Sequence, residues 1–151
     1  YDPNDGKLPN AADVKKKVMK SFDNFTLNPY DQRPTLEVNG LTAIRSMAGD
    51  TYESIAREFD LKDWEIITYN DLDKDDIQPE VGALIYLERK RFSAPKGKDK
   101  HTVKPGESLW SISQDYGVRM KSLIRKNHLS DDEGVKAGEQ LYLRKRKPKK
   151  K

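Results

Sequence analysis

Apolar residues recur at helical spacing in two separate stretches of this chain. In "GDTYESIAREF", Tyr52, Ile55, Ala56 and Phe59 fall at i, i+3, i+4 and i+7, one face of a helix. In "GESLWSISQDY", Leu109, Ile112, Ser113 and Tyr116 repeat that face. Gly49 or Gly106 breaks the chain just before each run, and Thr51 or Ser108 then supplies a hydroxyl suited to capping the first free amides. In the first copy Asp50 and Glu53 offer an alternative capping box. A second, shorter helix is predicted to carry Trp64, Ile66 and Ile67 in one copy, and Met120, Leu123 and Ile124 in the other. Short extended runs, "TAIRS" and "HTVK", come before; "ALIYL" and "EQLYL", rich in residues that suit a pleated surface, come after.

The order is therefore βααβ, written twice. Aligning Gly49 with Gly106 runs without gaps to Leu72 and Leu129, and six of those 24 positions are identical. The expected fold class is α+β, each unit being two helices packed on a two-stranded antiparallel sheet. A unit of about 45 residues buries little surface, so the far face of its sheet must be polar or covered by something else. Asn39-Gly40 lies between two apolar-alternating runs, so Leu36–Val38 is predicted to pair with Leu41–Ile44 and add a strand to the first sheet. Upstream, Val14, Val18, Phe22 and Phe25 fall close to one helical face, with Asn10 as a cap. The organisation read from this is an N-terminal segment 1–40, a first unit 41–88, a basic linker 89–100, a second unit 101–143 and a disordered basic tail 144–151. The linker's Pro, Gly, Ser and basic residues read as exposed and semi-flexible, with Phe92 as its one anchor.

Composition narrows the chemistry. The chain has no cysteine, so disulfides and thiolate metal sites are excluded. No apolar run approaches the roughly 20 residues of a membrane span. There is no initiating Met and no signal-peptide pattern, so the chain reads as a piece of a longer product or a mature form. The formal charge is +4, but seven positive charges lie in the tail Arg144–Lys151, so the body is mildly acidic. That tail reads either as a solvated appendage or as a contact for anionic groups of a cell envelope.

The glycine, the acidic and hydroxyl residues after it, the "IA" or "IS" within the helix, Asn-x-Leu and a closing Gly-x-x-Leu/Ile together resemble the LysM module. "VKPGESLWSISQDYG", "NHL" and "VKAGEQLYL" carry the resemblance in the second copy. The first copy departs more: "IRSMAGDTY" has a degenerate lead-in, and "LDKDDIQPEVGALIYL" is longer before its last strand. Ser113 also replaces the alanine usual in the pattern. The resemblance implies binding of polymers containing N-acetylglucosamine, peptidoglycan or chitin, in a shallow groove between the loop opening the first helix and the loop after the second. It carries binding to Gly49, Asp50, Thr51, Tyr52, Asn70, Leu72, Ile77 and Gln78. In the second copy the matching set is Gly106, Glu107, Ser108, Leu109, Asn127, Leu129, Val135 and Lys136. Glycine lets backbone approach a sugar closely, helix-start amides are donors suited to an acetamido carbonyl, and the apolar side chains suit the acetyl methyl. The second copy, matching the pattern better, is favoured as the binder. The residues alone also allow the plain alternative, in which Gly-Asp-Thr is a helix entry and Asn-x-Leu a helix exit.

An enzyme is not expected. Carboxylates are plentiful, but a small module offers no deep cleft in which one would be desolvated. "DLDKDD", Asp71 to Asp76, resembles a calcium loop, yet Asp76 stands where glycine is required and Gly82 where the bidentate Glu belongs, so no metal or other cofactor is expected. Basic residues are not interleaved with aromatics, so no nucleic-acid partner is expected either. The expectation is a monomeric, non-catalytic, extracytoplasmic region that serves an attached peptidoglycan hydrolase, resembling the C-terminal parts of Bacteroidetes glucosaminidases. A scaffolding pair without sugar binding is the alternative.

Overall fold

The first sheet begins with the hairpin. In the computed structural model, which describes residues 33–130 and 134–149, β1 (Leu36–Val38) pairs antiparallel with β2 (Leu41–Arg45) through Leu36↔Ala43 and Val38↔Leu41. Asn39 and Gly40 both have positive φ, 56° and 76°, as the tight turn matching strand twist requires. After β2 come α1 (Tyr52–Glu58) and α2 (Asp63–Tyr69), then β3 (Leu84–Tyr86), which pairs with β2 through Ala43↔Tyr86 and Arg45↔Leu84. The order β1-β2-β3 is the expected βααβ unit plus one added strand. Strand alternation splits β2 and β3 between two faces. Ile44 and Ile85 join Tyr52, Ile55, Ala56 and Ile66 under the helices, while Leu41, Ala43 and Tyr86 form a cluster on the opposite face.

The second copy repeats the plan with a two-stranded sheet. β4 (Lys100–Thr102) pairs antiparallel with β5 (Gln140–Tyr142), and α3 (Leu109–Tyr116) and α4 (Met120–Lys126) lie between them. Its core gathers Leu109, Ile112, Leu123, Leu141 and Leu143. Trp64 lies on α2 as expected and is 55% exposed. Ile66 sets that helix's buried side, and a residue two positions away points roughly opposite. The N-terminal helix expected around Val14–Phe25 lies outside the described residues.

From Thr35 onward the chain is one compact unit, because the second copy covers the back of the first copy's sheet. The Tyr86 hydroxyl donates to the Gln114 carbonyl (2.5 Å), and Gln114 Nε2 donates to the Leu84 carbonyl and to Asn70 Oδ1. Asn39, in the hairpin turn, donates to the Tyr86 hydroxyl and to the Asp115 carbonyl. Burial holds the Tyr86 phenol above its ordinary pKa. Gly117 ends α3 in the left-handed conformation (φ 68°), and a β-carbon there would meet Leu41 Cδ1 at 3.0 Å and Asn39 Cβ at 3.1 Å. A side chain at this position would press on Leu41 and Asn39 of the first copy, which would have to give way slightly.

The connector differs from the expected flexible linker. Lys90 is 2% exposed, with its ammonium on Asp71 Oδ2 (2.7 Å), Gln114 Oε1 (2.8 Å) and Ser113 Oγ (3.0 Å). Arg91 pairs with Val118 in a parallel bridge, donating to the Gly117 carbonyl and accepting from the Arg119 amide. The Phe92 carbonyl receives the Ser122 hydroxyl and the Lys126 ammonium, while the Phe92 ring is 60% exposed beneath the Arg119 guanidinium (4.1 Å). Main-chain groups and Lys90 therefore fix the connector, more than the Phe92 ring. The tail is also engaged where it is described: Arg144 donates to the Ala94 carbonyl, the Lys147 amide to the Lys126 carbonyl, and the Lys147 carbonyl meets His128 Nε2.

Two predictions follow from the docked arrangement. Gly117→Ala should destabilise the chain by roughly 1–3 kcal/mol through its left-handed backbone, with the steric clash adding to this, read from chemical denaturation. Asp71→Asn should cost about 3 kcal/mol at neutral pH, the lower end for a broken buried pair, because Ser113 and Gln114 still hold the ammonium. Burial lowers the Lys90 pKa and Asp71 opposes that shift, so the variant's Lys90 should be lowered further. Between that folded value and the ordinary 10.5 the unfolded chain binds more protons, so the variant's stability should recover as pH rises through this window. Denaturation at a series of alkaline pH values, compared with the parent chain, checks the sign.

Candidate functional site

Each copy opens its first helix with a self-bonded loop. Asp50 turns its carboxylate back onto the Met47 amide (2.7 Å), as Glu107 does onto the Lys104 amide (2.7 Å). Thr51 and Ser108 cap their helices through Ser54 and Ser111, in capping boxes whose third helical residue is serine in both copies. Asp50 and Glu53 thus do not form the capping box suggested as an alternative: a serine hydroxyl reaches back over this short span, and Asp50 is spent upstream. Glu107 also accepts from His101 Nε2 (2.8 Å), and the other ring nitrogen lies 2.9 Å from the Tyr116 hydroxyl. The bond from His101 and then the Lys104 amide hold the Glu107 carboxyl below its ordinary pKa.

In the first copy the amides of Asp50, Thr51, Tyr52 and Ser54 all donate within the protein; that of Tyr52 reaches the Ile77 carbonyl (3.0 Å). The free helix-start donors expected for an acetamido carbonyl are therefore already satisfied at these four positions. The Tyr52–Ile77 bond instead ties the opening loop to the loop before β3, and apolar side chains stand exposed along this junction. Met47, Ile77 and Val81 are 58%, 71% and 72% exposed.

The other expected contacts divide clearly. Gly49, Ile77, Gln78, Gly106, Ser108 and Lys136 are exposed. Tyr52 and Leu109 are mostly buried, and Leu72, Leu129 and Val135 are half-buried against the two cores. Asn70 and Asn127 are withdrawn from the surface. The Asn70 carboxamide donates to the Ile66 and Tyr86 carbonyls and accepts from the Tyr86 amide; Asn127 does the same with Leu123 and Tyr142. Each asparagine ties the end of a second helix to the closing strand, with both polar atoms of its carboxamide bonded within the protein. The edge of the groove also shifts register. Gly82 and Gly138 donate to the Ser46 and Val103 carbonyls, and the Glu80 and Lys136 carbonyls receive the amides of Ala83 and Glu139. Lys136 thus corresponds to Glu80, not Gln78, and Val135 to Pro79, not Ile77.

Beside this groove is a hollow of about 390 Å³ that sequence reasoning missed. Tyr52, Leu72, Asp73 and Asp76 line it from the first copy, Trp110 and Met120 from the second. Asp71 lies at its base, shared between the Lys90 ammonium and the Met120 amide (3.1 Å). Burial and then the carboxylates of Asp76 and Glu80 push the Tyr52 phenol up. The available signal was Trp110 itself, an aromatic where the first copy has Glu53. Among the described residues no three His, Cys, Asp or Glu side chains gather as a metal site, and no helix is long and apolar enough to cross a membrane.

Comparison with known proteins identifies the repeated unit. A family model described as the LysM domain matches residues 48–82 and 101–144, more than half of the chain. The chain belongs to the LysM domain family, whose members are binding modules for peptidoglycan-type glycans. The Autolysin of Enterococcus faecalis (strain ATCC 700802 / V583) is 29% identical over 128 residues, covering 80% of this chain and 17% of its own length. Among solved structures, the spore cortex-lytic enzyme SleL of Bacillus cereus is similar at 30% identity, over 68% of this chain and 22% of that one, with a TM-score of 0.29. The enzyme of the same name from Bacillus megaterium QM B1551 is similar at 24% identity, over 72% of this chain and 23% of that one, with a TM-score of 0.28. The chain thus spans about a fifth of the length of these relatives.

The asparagines provide a test of the division between core and surface. Asn70→Ala and Asn127→Ala should each lower stability by roughly 1–3 kcal/mol, since buried strand groups lose their partners. Under conditions where the variants are folded, glycan binding by Asn127→Ala should equal that of the parent chain, as read by calorimetry.

Proposed function

We propose that this chain is a non-catalytic, extracytoplasmic glycan-binding pair, with 41–88 and 101–143 as its two modules, and that it holds an attached hydrolase against peptidoglycan. The observation that carries this reading is the exposed apolar rim of the first copy. Met47, Ile77 and Val81 flank the joined loops around Tyr52 and Leu72, and an exposed apolar patch rimmed by polar residues marks a binding surface. The first copy is therefore the better candidate binder, although the second matches the family pattern more closely. In the second copy Lys104 and Ala137 stand where the first has Met47 and Val81. The name of the enterococcal relative, an autolysin, favours a bacterium's own wall over chitin. Within the tail the Arg144 guanidinium already donates to the Ala94 carbonyl, whereas Lys147 is held to the fold through its main chain, so the tail's charge stands as the rival contact that the salt dependence separates.

Pull-down on purified insoluble peptidoglycan, competed with soluble N-acetylglucosamine oligomers, tests this. The expected outcome is binding that the oligomers abolish and moderate salt leaves intact. Ile77→Asp, an exposed change that spares the core, should weaken binding on the order of tenfold, about 1.4 kcal/mol. Binding lost to salt and indifferent to oligomers would assign the contact to the basic tail. Absence of binding would favour a scaffolding pair.

A further inference from the structure

We infer that the first copy's groove continues into a second sugar subsite shared between the copies, in which the Trp110 ring receives the next residue of a bound N-acetylglucosamine polymer. This rests on the glycan-binding reading of the groove. Tyr52 and Leu72 belong to both spaces: they floor the groove and line the junction hollow, whose opposite wall is Trp110 and Met120. The volume, about 390 Å³, lies at the lower end for small-ligand sites, roughly 300–1,000 Å³.

The wall is prepared for a pyranose. One face of such a ring presents C–H groups, which gain dispersion contact on a flat aromatic surface. Trp110 is half-buried, and its indole N–H donates to the Asn70 carbonyl (2.8 Å), so the ring is oriented before ligand arrives. The main chain at Trp110 is held as well, its carbonyl accepting from the Ser113 hydroxyl (2.7 Å). Asp73 and Asp76 border the same space as acceptors for sugar hydroxyls, and their charge disfavours a ring bearing a free carboxylate. At the position of Trp110 the first copy has Glu53, exposed and paired with Arg57 at 3.1 Å. The aromatic is thus specific to the copy that meets its neighbour's groove.

The chain has two tryptophans, so Trp64→Phe leaves Trp110 as the sole indole reporter. This variant is titrated by fluorescence and calorimetry with N-acetylglucosamine oligomers, from the disaccharide to the hexasaccharide. The expected result is that the disaccharide binds, longer oligomers bind about tenfold more tightly, as for one added aromatic contact, and only the longer ones shift the Trp110 emission. Trp110→Ala should lose the length increment while keeping the disaccharide affinity. Trp110→Phe, which retains a ring, should recover part of it. Oligomers that bind with no length dependence and no change in Trp110 emission would overturn the shared subsite and leave the groove reading intact. Failure of every oligomer to bind would overturn both.

Discussion

One ammonium group closes the joint between the two halves of this protein. Lys90 lies in the connector, buried against a carboxylate from the first copy and two polar side chains from the second. Removing a charge from water costs several kcal/mol, recovered only where partners meet it in good geometry. All three partners meet it only when the copies are docked as observed. Lys90 thus penalises alternative dockings more than it adds attraction, and the apolar cluster of Leu41, Ala43 and Tyr86 supplies the attraction. The position of Trp110 beside Leu72 depends on that arrangement.

The internal architecture of each copy was legible because local rules suffice for it. Helical periodicity placed Ile55 and Ile112 at the two cores, the hydroxyl after each glycine marked a helix start, and Asn39-Gly40 set the hairpin register. What could not be read was the relation between the copies, and the reason is physical. Lys90, Arg91 and Phe92 have the composition of a solvated linker, and only tertiary context turns their main chain into ladder partners and one side chain into a buried ion.

The candidate site divided along the same line. Tyr52 is bonded to the Ile77 carbonyl and lines the hollow with Leu72, whereas Asn70 and Asn127, equally prominent in the family pattern, tie helix ends to the closing strands. A motif records both kinds of constraint without distinguishing them. The departures between the copies are more informative. Glu53, Ala56, Arg57 and Asp60 are replaced by Trp110, Ser113, Gln114 and Gly117, one face of the first helix and its end. All four replacements lie at the docking surface or the shared hollow. Ser113, which departs from the usual alanine, holds Lys90.

Docking is head-to-tail: the sheet of one copy meets the helix of the next, an arrangement that left open-ended would generate a growing array. The sheet of the second copy ends it. Lys100 and Thr102 on β4, paired with Tyr142 and Gln140 on β5, share its outer face, and the Lys100 ammonium lies over the Tyr142 ring at 4.7 Å. Where the first sheet offers Leu41, Ala43 and Tyr86, the second offers a charge, a hydroxyl and an amide beside one occupied aromatic ring. It behaves as the capping unit of a solenoid, whose polar outer face stops further stacking. Chain growth by simple duplication of this unit would therefore add beads on a string, and extending the rigid stack would first require that face to be made apolar.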